Sequence, residues 1–209
     1  MNKEWSELNK TMQAQIKKKD TYKMGIDTLF NLRRQLMQTL VSFKEDLCRE
    51  DFNAIPFINA DGYHSKTIAY SIWHIFRIED IVAHTVITED EQVFFTGNYQ
   101  VRINSPIITT GNELVKQQIA DFSKQLNLEE LYSYIFEVRE STEKILERFS
   151  YDELKWKIPD ERKGYLKSLN VVNCDEKAIW LIDYWCSKDI RGLIQMPFSR
   201  HWIMHIEAS

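Results

Sequence analysis

The segment Thr67–His84, TIAYSIWHIFRIEDIVAH, constrains the chain more than any other. It is apolar on nearly all sides, contains no glycine or proline, and is long enough for about five helical turns. A helix that is hydrophobic all round has no face to give to water, so other elements must enclose it.

The rest of the sequence supplies candidates for that enclosure. Leu29, Leu32, Leu36, Leu40, Phe43 and Leu47 keep a three- and four-residue spacing, which predicts an amphipathic helix over residues 20–48. Arg33, Arg34, Lys44 and Glu45 are taken to lie off its apolar stripe. Trp5, Leu8, Met12 and Ile16 make a shorter stripe of the same kind. Six glycines and four prolines in 209 residues leave long helices few interruptions. Ser65 or Thr67 can cap the apolar helix, expected over 66–88. Thr110-Gly111-Asn112-Glu113 has the form of a capping box and opens a helix expected over 111–148, with Asn127 to Glu130 a looser start signal inside it. Asp175 can cap a helix over 176–195, which Pro197 disrupts or ends, and a short helix carries His201 to Glu207. Between these lie connections: Asn53 to Ser65, with Pro56 and Asp61-Gly62 as turn signals; Phe94 to Thr109; and Ser150 to Cys174, broken at Pro159 and Gly164. There is no internal repeat, and no connection is long enough to hold a second core. The expected fold class is all-α: an antiparallel four-helix bundle with additional short helices, in one domain spanning 1–209.

Composition removes several functions. A net charge of −4 argues against nucleic-acid binding, which needs a basic surface, and the run Lys17-Lys18-Lys19 reads as a solvated helix end. No apolar run approaches a membrane span, and the first residues do not resemble a signal peptide. Cys48, Cys174 and Cys186 are odd in number and widely spaced, which suits neither a disulfide framework nor a cysteine-rich zinc site. A cytoplasmic protein with reduced thiols is the expectation. A small-molecule substrate is the expected partner, with no nucleic acid and no membrane; a homodimer is an open assembly.

Among five histidines, His201 and His205 stand at i and i+4 in SRHWIMHI, so on a helix they share one face and can ligate one metal. No glutamate follows His201, so this is not the metalloprotease pattern, and a bare H-x-x-x-H also suits two polar residues on a frayed last turn. His74, in the middle of the apolar segment, is a core histidine if alone, or the third ligand that the pair needs to leave an open position on a metal. His84 lies on a different face of that helix and reads as structural or exposed; His64 sits beside a turn at the surface. Tyr70, Trp73, Trp180, Trp185 and Trp202 are candidates to line a pocket, or are plain core. Glu79 and Glu207 are the nearest carboxylates to support ligand imidazoles. Glu79 points away from His74 on an ideal helix, so it would orient a ligand on another helix or pair with Arg77 or Arg200.

Asn59 to Glu79, containing Ser71-Ile72-Trp73-His74 and Glu79, and Arg200 to Glu207, containing His201 and His205, resemble the two signature regions of the DinB/YfiT-like superfamily of metalloenzymes. The resemblance implies a four-helix bundle and a three-histidine metal site formed by His74, His201 and His205. It also implies a reaction: transfer of a low-molecular-weight thiol (bacillithiol, mycothiol or glutathione) or metal-assisted hydrolysis of a small molecule. Zinc or nickel suits such a site, with iron or manganese as alternatives. Two departures stand out: Ile206 follows the last histidine where the family often has arginine, and Phe94 to Thr109 looks like an insertion beside the pocket. The competing class is a non-catalytic helical protein that binds a ligand or partner with a vestigial metal site.

Overall fold

In the computed structural model, which describes residues 2–60 and 62–209, the apolar segment is helical from Ile68 onward. Asp61, one of the expected turn residues, lies outside the described residues. Twelve α-helices are named in chain order: α1 Lys3–Gln15, α2 Tyr22–Asp46, α3 Arg49–Asn53, α4 Ile68–Asp80, α5 Val93–Thr96, α6 Tyr99–Arg102, α7 Gln117–Gln125, α8 Leu128–Glu147, α9 Glu161–Ser168, α10 Glu176–Cys186, α11 Ile190–Gln195 and α12 His201–Glu207. Single 3₁₀ turns at Gly62–Ser65 and Glu153–Lys155 and wider π-helical turns at Ile81–Thr88 and Met196–Arg200 complete the order. The chain is all-α; among the described residues the β interaction is an isolated bridge between Lys157 and Asp189. No helix among them is long and apolar enough to cross a membrane.

α4 is the axis of the fold. Thr67 caps it by accepting from the Tyr70 amide at 2.9 Å, and every residue from Ala69 to Asp80 is buried. It packs against α8, α12, α3 and α7, and α12 in turn packs on α2. The buried core has two parts: aromatic packing of Trp73, Phe94, Phe122 and Tyr134 around α4, and a second cluster in which Ile81, Trp185 and Phe198 are buried. On α2 the stripe is as expected, with Leu29, Leu32, Leu36 and Leu40 buried.

Four expectations need correction. The helix expected over 111–148 is two helices, and the capping box at Thr110 does not form. Gly111 sits at φ +77°, in the left-handed region that favours glycine, and the chain turns before α7 begins at Gln117. Asn127 does cap a helix: its side chain accepts from the Glu130 amide. The helix expected over 176–195 is also two; Asp189 caps the second by accepting from the Gly192 amide. Gly164 does not break the chain but lies inside α9, and Phe94 to Thr109 holds parts of α5 and all of α6. Finally, Arg33 is fully buried. It stands four residues after Leu29 and three before Leu36, so it belongs to the apolar stripe rather than beside it.

Pro197 acts as its chemistry requires. It has no N–H for the Leu193 carbonyl, which accepts from Met196 instead, and α11 ends at Gln195. The π-helical turn that follows re-aims the chain into α12.

Candidate metal centre

α4 and α12 bring His74, His201 and His205 together. All three are buried, and one ring nitrogen from each lies within 4.8 Å of the others. The ring centroids are 4.6 Å apart for His201 and His205, 4.8 Å for His74 and His205, and 5.0 Å for His74 and His201. The i, i+4 spacing on α12 aligns the pair, and the close packing of α12 on α4 supplies the third ring.

The donor chemistry of this cluster fits a metal. His74 Nδ1 lies 2.7 Å from the Thr110 carbonyl oxygen, which can only accept, so Nδ1 carries the proton and Nε2 keeps its lone pair. Tyr70 stacks on the same ring at 5.4 Å and donates its hydroxyl to the Gly111 carbonyl, which fixes the loop that carries Thr110. The Nδ1 atoms of His201 and His205 are buried without a partner. Burial pulls the His74 pKa down to about 4, against the hydrogen bond to Thr110. It takes His201 and His205 well below the ordinary histidine range, and the neighbouring histidines push the same way. Three neutral imidazoles at neutral pH are competent ligands, whereas protonated ones are not.

The cluster lines a cavity of about 600 Å³. Of the expected lining residues, Tyr70, Trp180 and Trp185 face it, with Trp180 half-exposed. Trp73 and Trp202 do not line it. Trp73 is enclosed by Phe94, Phe122 and Tyr134, and Trp202 packs on Phe76. Adjacency in sequence to a ligand misplaced both, because neighbours on a helix point about 100° apart. Tyr63, which meets His205 edge-on at 4.7 Å, and Lys66 also line the cavity, and nothing in the sequence pattern singled them out.

The two expected supporting carboxylates are elsewhere. Glu79 forms a bidentate pair with Arg33, at 2.7 and 2.9 Å, rather than with Arg77 or Arg200. It also accepts from the Trp202 indole at 2.8 Å. Arg33 further donates to the Phe198 carbonyl and to Glu143. The junction therefore ties α2, α4, α8 and the entry to α12, and acts on the histidines only by setting the pose of α12. Glu207 accepts from the Asn2 amide at the start of α1 and has no bond to a histidine. The role given to these carboxylates falls to a backbone carbonyl, that of Thr110.

His84 is not part of the cluster. Its ring is held at both nitrogens, by Asp90 at 2.7 Å and Ser141 at 3.0 Å, which leaves none for a metal. His64 is exposed.

Fold and site thus define an all-α protein with a buried cluster of three histidines, lining a cavity, that could hold a metal ion. Comparisons with protein families, with curated proteins and with solved structures found no match.

Proposed function

We propose that this chain is a divalent-metal-dependent enzyme that transfers a low-molecular-weight thiol to or from a small molecule. The observation that carries the reading is the set of buried, neutral imidazoles with two unpartnered Nδ1 atoms, opening on a cavity. Unpartnered polar atoms in a core are costly, and a ligand that satisfies them is the simplest reason for their being there. Zinc or nickel suits three nitrogen ligands with an open position, and iron or manganese is the alternative. A bound divalent ion lowers the pKa of a coordinated thiol or water and so supplies a nucleophile near neutral pH.

The protein's own residues favour thiol transfer over hydrolysis. None of the described residues lining the cavity is acidic, so among them no carboxylate stands ready as a general base for water. A thiol, with an unperturbed pKa of about 8.5, needs less help to lose its proton. Thr110 and Tyr70 hold His74 in the tautomer that leaves Nε2 free, and the walls at Trp185 and Leu181 exclude water from one side. The order of His74 on a central helix and His201/His205 on the last one is also what membership of the DinB/YfiT-like superfamily, with its four-helix bundle, would give.

The lack of a base is equally what a non-catalytic ligand-binding protein would have. The test is metal analysis of untagged protein, then thiol conjugation to an electrophile by the metal-loaded form. Stoichiometric metal with turnover that is lost in His74→Ala supports the enzyme. Metal without turnover by any thiol, or no metal affinity at all, removes the enzyme and leaves the binding protein.

A further inference from the structure

The cavity has a charge that no described residue lining it balances. Among the described residues that line it, Lys66 and Lys116 are charged and none is acidic. Lys116 is exposed, as an ordinary surface lysine is. Lys66 is different: it sits just before the cap of α4, half-buried, with its ammonium 5.3 Å from the centroid of the Tyr70 ring that stacks on His74. Among the described residues no carboxylate lies within ion-pair distance of Lys66 Nζ. A lysine withdrawn from water without a counter-ion is costly to keep charged. Burial lowers its pKa, and among the described residues no acidic group acts in the other direction. The three imidazoles beyond it are neutral, so they offer no compensation either. Any cation placed among them adds to the same excess.

We propose that the cavity receives a small amphiphilic anion, whose carboxylate or phosphate-ester head pairs with Lys66 while its apolar body lies along Trp180, Leu181 and Trp185. The complementarity is of two kinds. A desolvated ammonium selects an anionic head, since a bond to a charged group is stronger than one between neutral groups. The wall formed by the two indoles and Leu181 selects a non-polar body, as small-molecule sites commonly do. Lys66 then binds the ligand by its head, which it holds on the side of the cavity near His74 and His205. This inference rests on reading the cavity as the substrate site, and it adds the chemical class of what enters.

The probes are hydrocinnamate, phenyl phosphate and the neutral hydrocinnamide, titrated into full-length protein in metal-loaded and metal-free forms and followed by calorimetry. The metal-free form removes direct coordination of the anion by an ion. The expected result is that both anions bind at least about tenfold more tightly than the amide in either form. In Lys66→Met that preference disappears from the metal-free protein, while in Lys116→Met it persists. A metal titration of Lys66→Met serves as the control for an intact centre and should be at least as tight as wild type, since a neighbouring positive charge is removed. If hydrocinnamide binds metal-free wild type as tightly as the anions, if none of the three binds, or if Lys66→Met keeps the preference, the inference is wrong. In each of those cases a normal metal titration leaves the three-histidine reading standing.

Discussion

Two polar groups on the same helix, His74 and Glu79, have opposite surroundings. Glu79 is fully buried and has every demand met: two bonds from Arg33 and one from Trp202. Burial pushes its carboxyl above the ordinary range, and the Arg33 guanidinium pulls against that shift. His74 is also buried, but one nitrogen is bonded and the other faces a cavity with two more imidazoles. A closed network of charges specifies how helices pack and leaves nothing for a ligand. An open cluster of neutral bases does little for packing and leaves lone pairs to give. Burial alone therefore does not distinguish structure from function; what remains unbonded does.

The sharpest test of the contrast is to remove one member of the open cluster. His74→Ala or His205→Ala should lose about a thousandfold or more in metal affinity, beyond the roughly 10–100-fold typical of a group that only supports a ligand. The metal-free variants should fold, because the imidazoles contribute little to packing. His84→Ala should bind as wild type does. Metal titration with a competing chelator reads all three, and equal affinity in His74→Ala and wild type would remove the centre.

Breaking the closed network should have the reverse signature. Arg33→Met leaves Glu79 buried without its cation, a change that costs roughly 3–5 kcal/mol when a buried pair loses one partner. The expected loss lies near the lower end, about 3 kcal/mol, because Trp202 still donates to Glu79 and the carboxyl can take up a proton. Urea denaturation measures it. Metal affinity should fall far less than in the histidine variants. If Arg33→Met abolishes metal binding while unfolding at the wild-type midpoint, the division between the two regions is wrong.

The apolar helix and the H-x-x-x-H pair were legible because each depends on local spacing, whereas the third histidine was singled out by its place in that helix and by the family resemblance. Thr67 to His84 could only be an enclosed helix, and one such helix together with an i, i+4 pair is enough to suggest a centre. The closed network was not legible, because its bonds join Arg33 to Glu79 and Glu79 to Trp202, pairs 46 and 123 residues apart. The clue was present but weak: Arg33 keeps the register of Leu29 and Leu36, and an arginine in an apolar register needs a buried partner. The loop at Thr110 was misread because its residues suit a capping box, while Gly111 at positive φ and bonds from Tyr70 and His74 hold it in another conformation. Local propensity gave way to tertiary contacts, as it commonly does.

Acid should affect the open cluster in a definite direction. His74 has a folded pKa of about 4 against 6.5 for an unperturbed imidazole, and His201 and His205 are lowered as well. Between those values the unfolded chain binds more protons than the folded one, so stability rises with pH. It is fully present above about 6.5 and is lost as pH falls through about 4. Glu79 and Asp80, whose pKa values burial raises, act oppositely, so the useful quantity is the difference between metal-free wild type and metal-free His74→Asn. That difference should shift against wild type as pH is lowered from 7 toward 4.5, values spanning the window. A pH-independent difference would mean that His74 is not held neutral by burial.

The smallest effect expected is at the backbone that supports the centre. The Thr110 carbonyl cannot be removed by changing a side chain, but the next residue controls where it points. Gly111 has φ +77°, and a Cβ there would stand 3.1 Å from Tyr70 Cε2, the ring that stacks on His74. Gly111→Ala therefore meets both the left-handed penalty, about 1–2 kcal/mol, and a contact in which either the loop or Tyr70 must give way. If the loop moves, Thr110 O leaves His74 Nδ1, the ring loses its fixed tautomer, and metal affinity falls about tenfold, the low end for a supporting partner. The two readouts should change together: a stability loss of about 1–2 kcal/mol in urea and a weaker metal titration curve. A stability loss of that size with unchanged metal affinity would show that Tyr70 gives way while the loop keeps Thr110 O on His74 Nδ1.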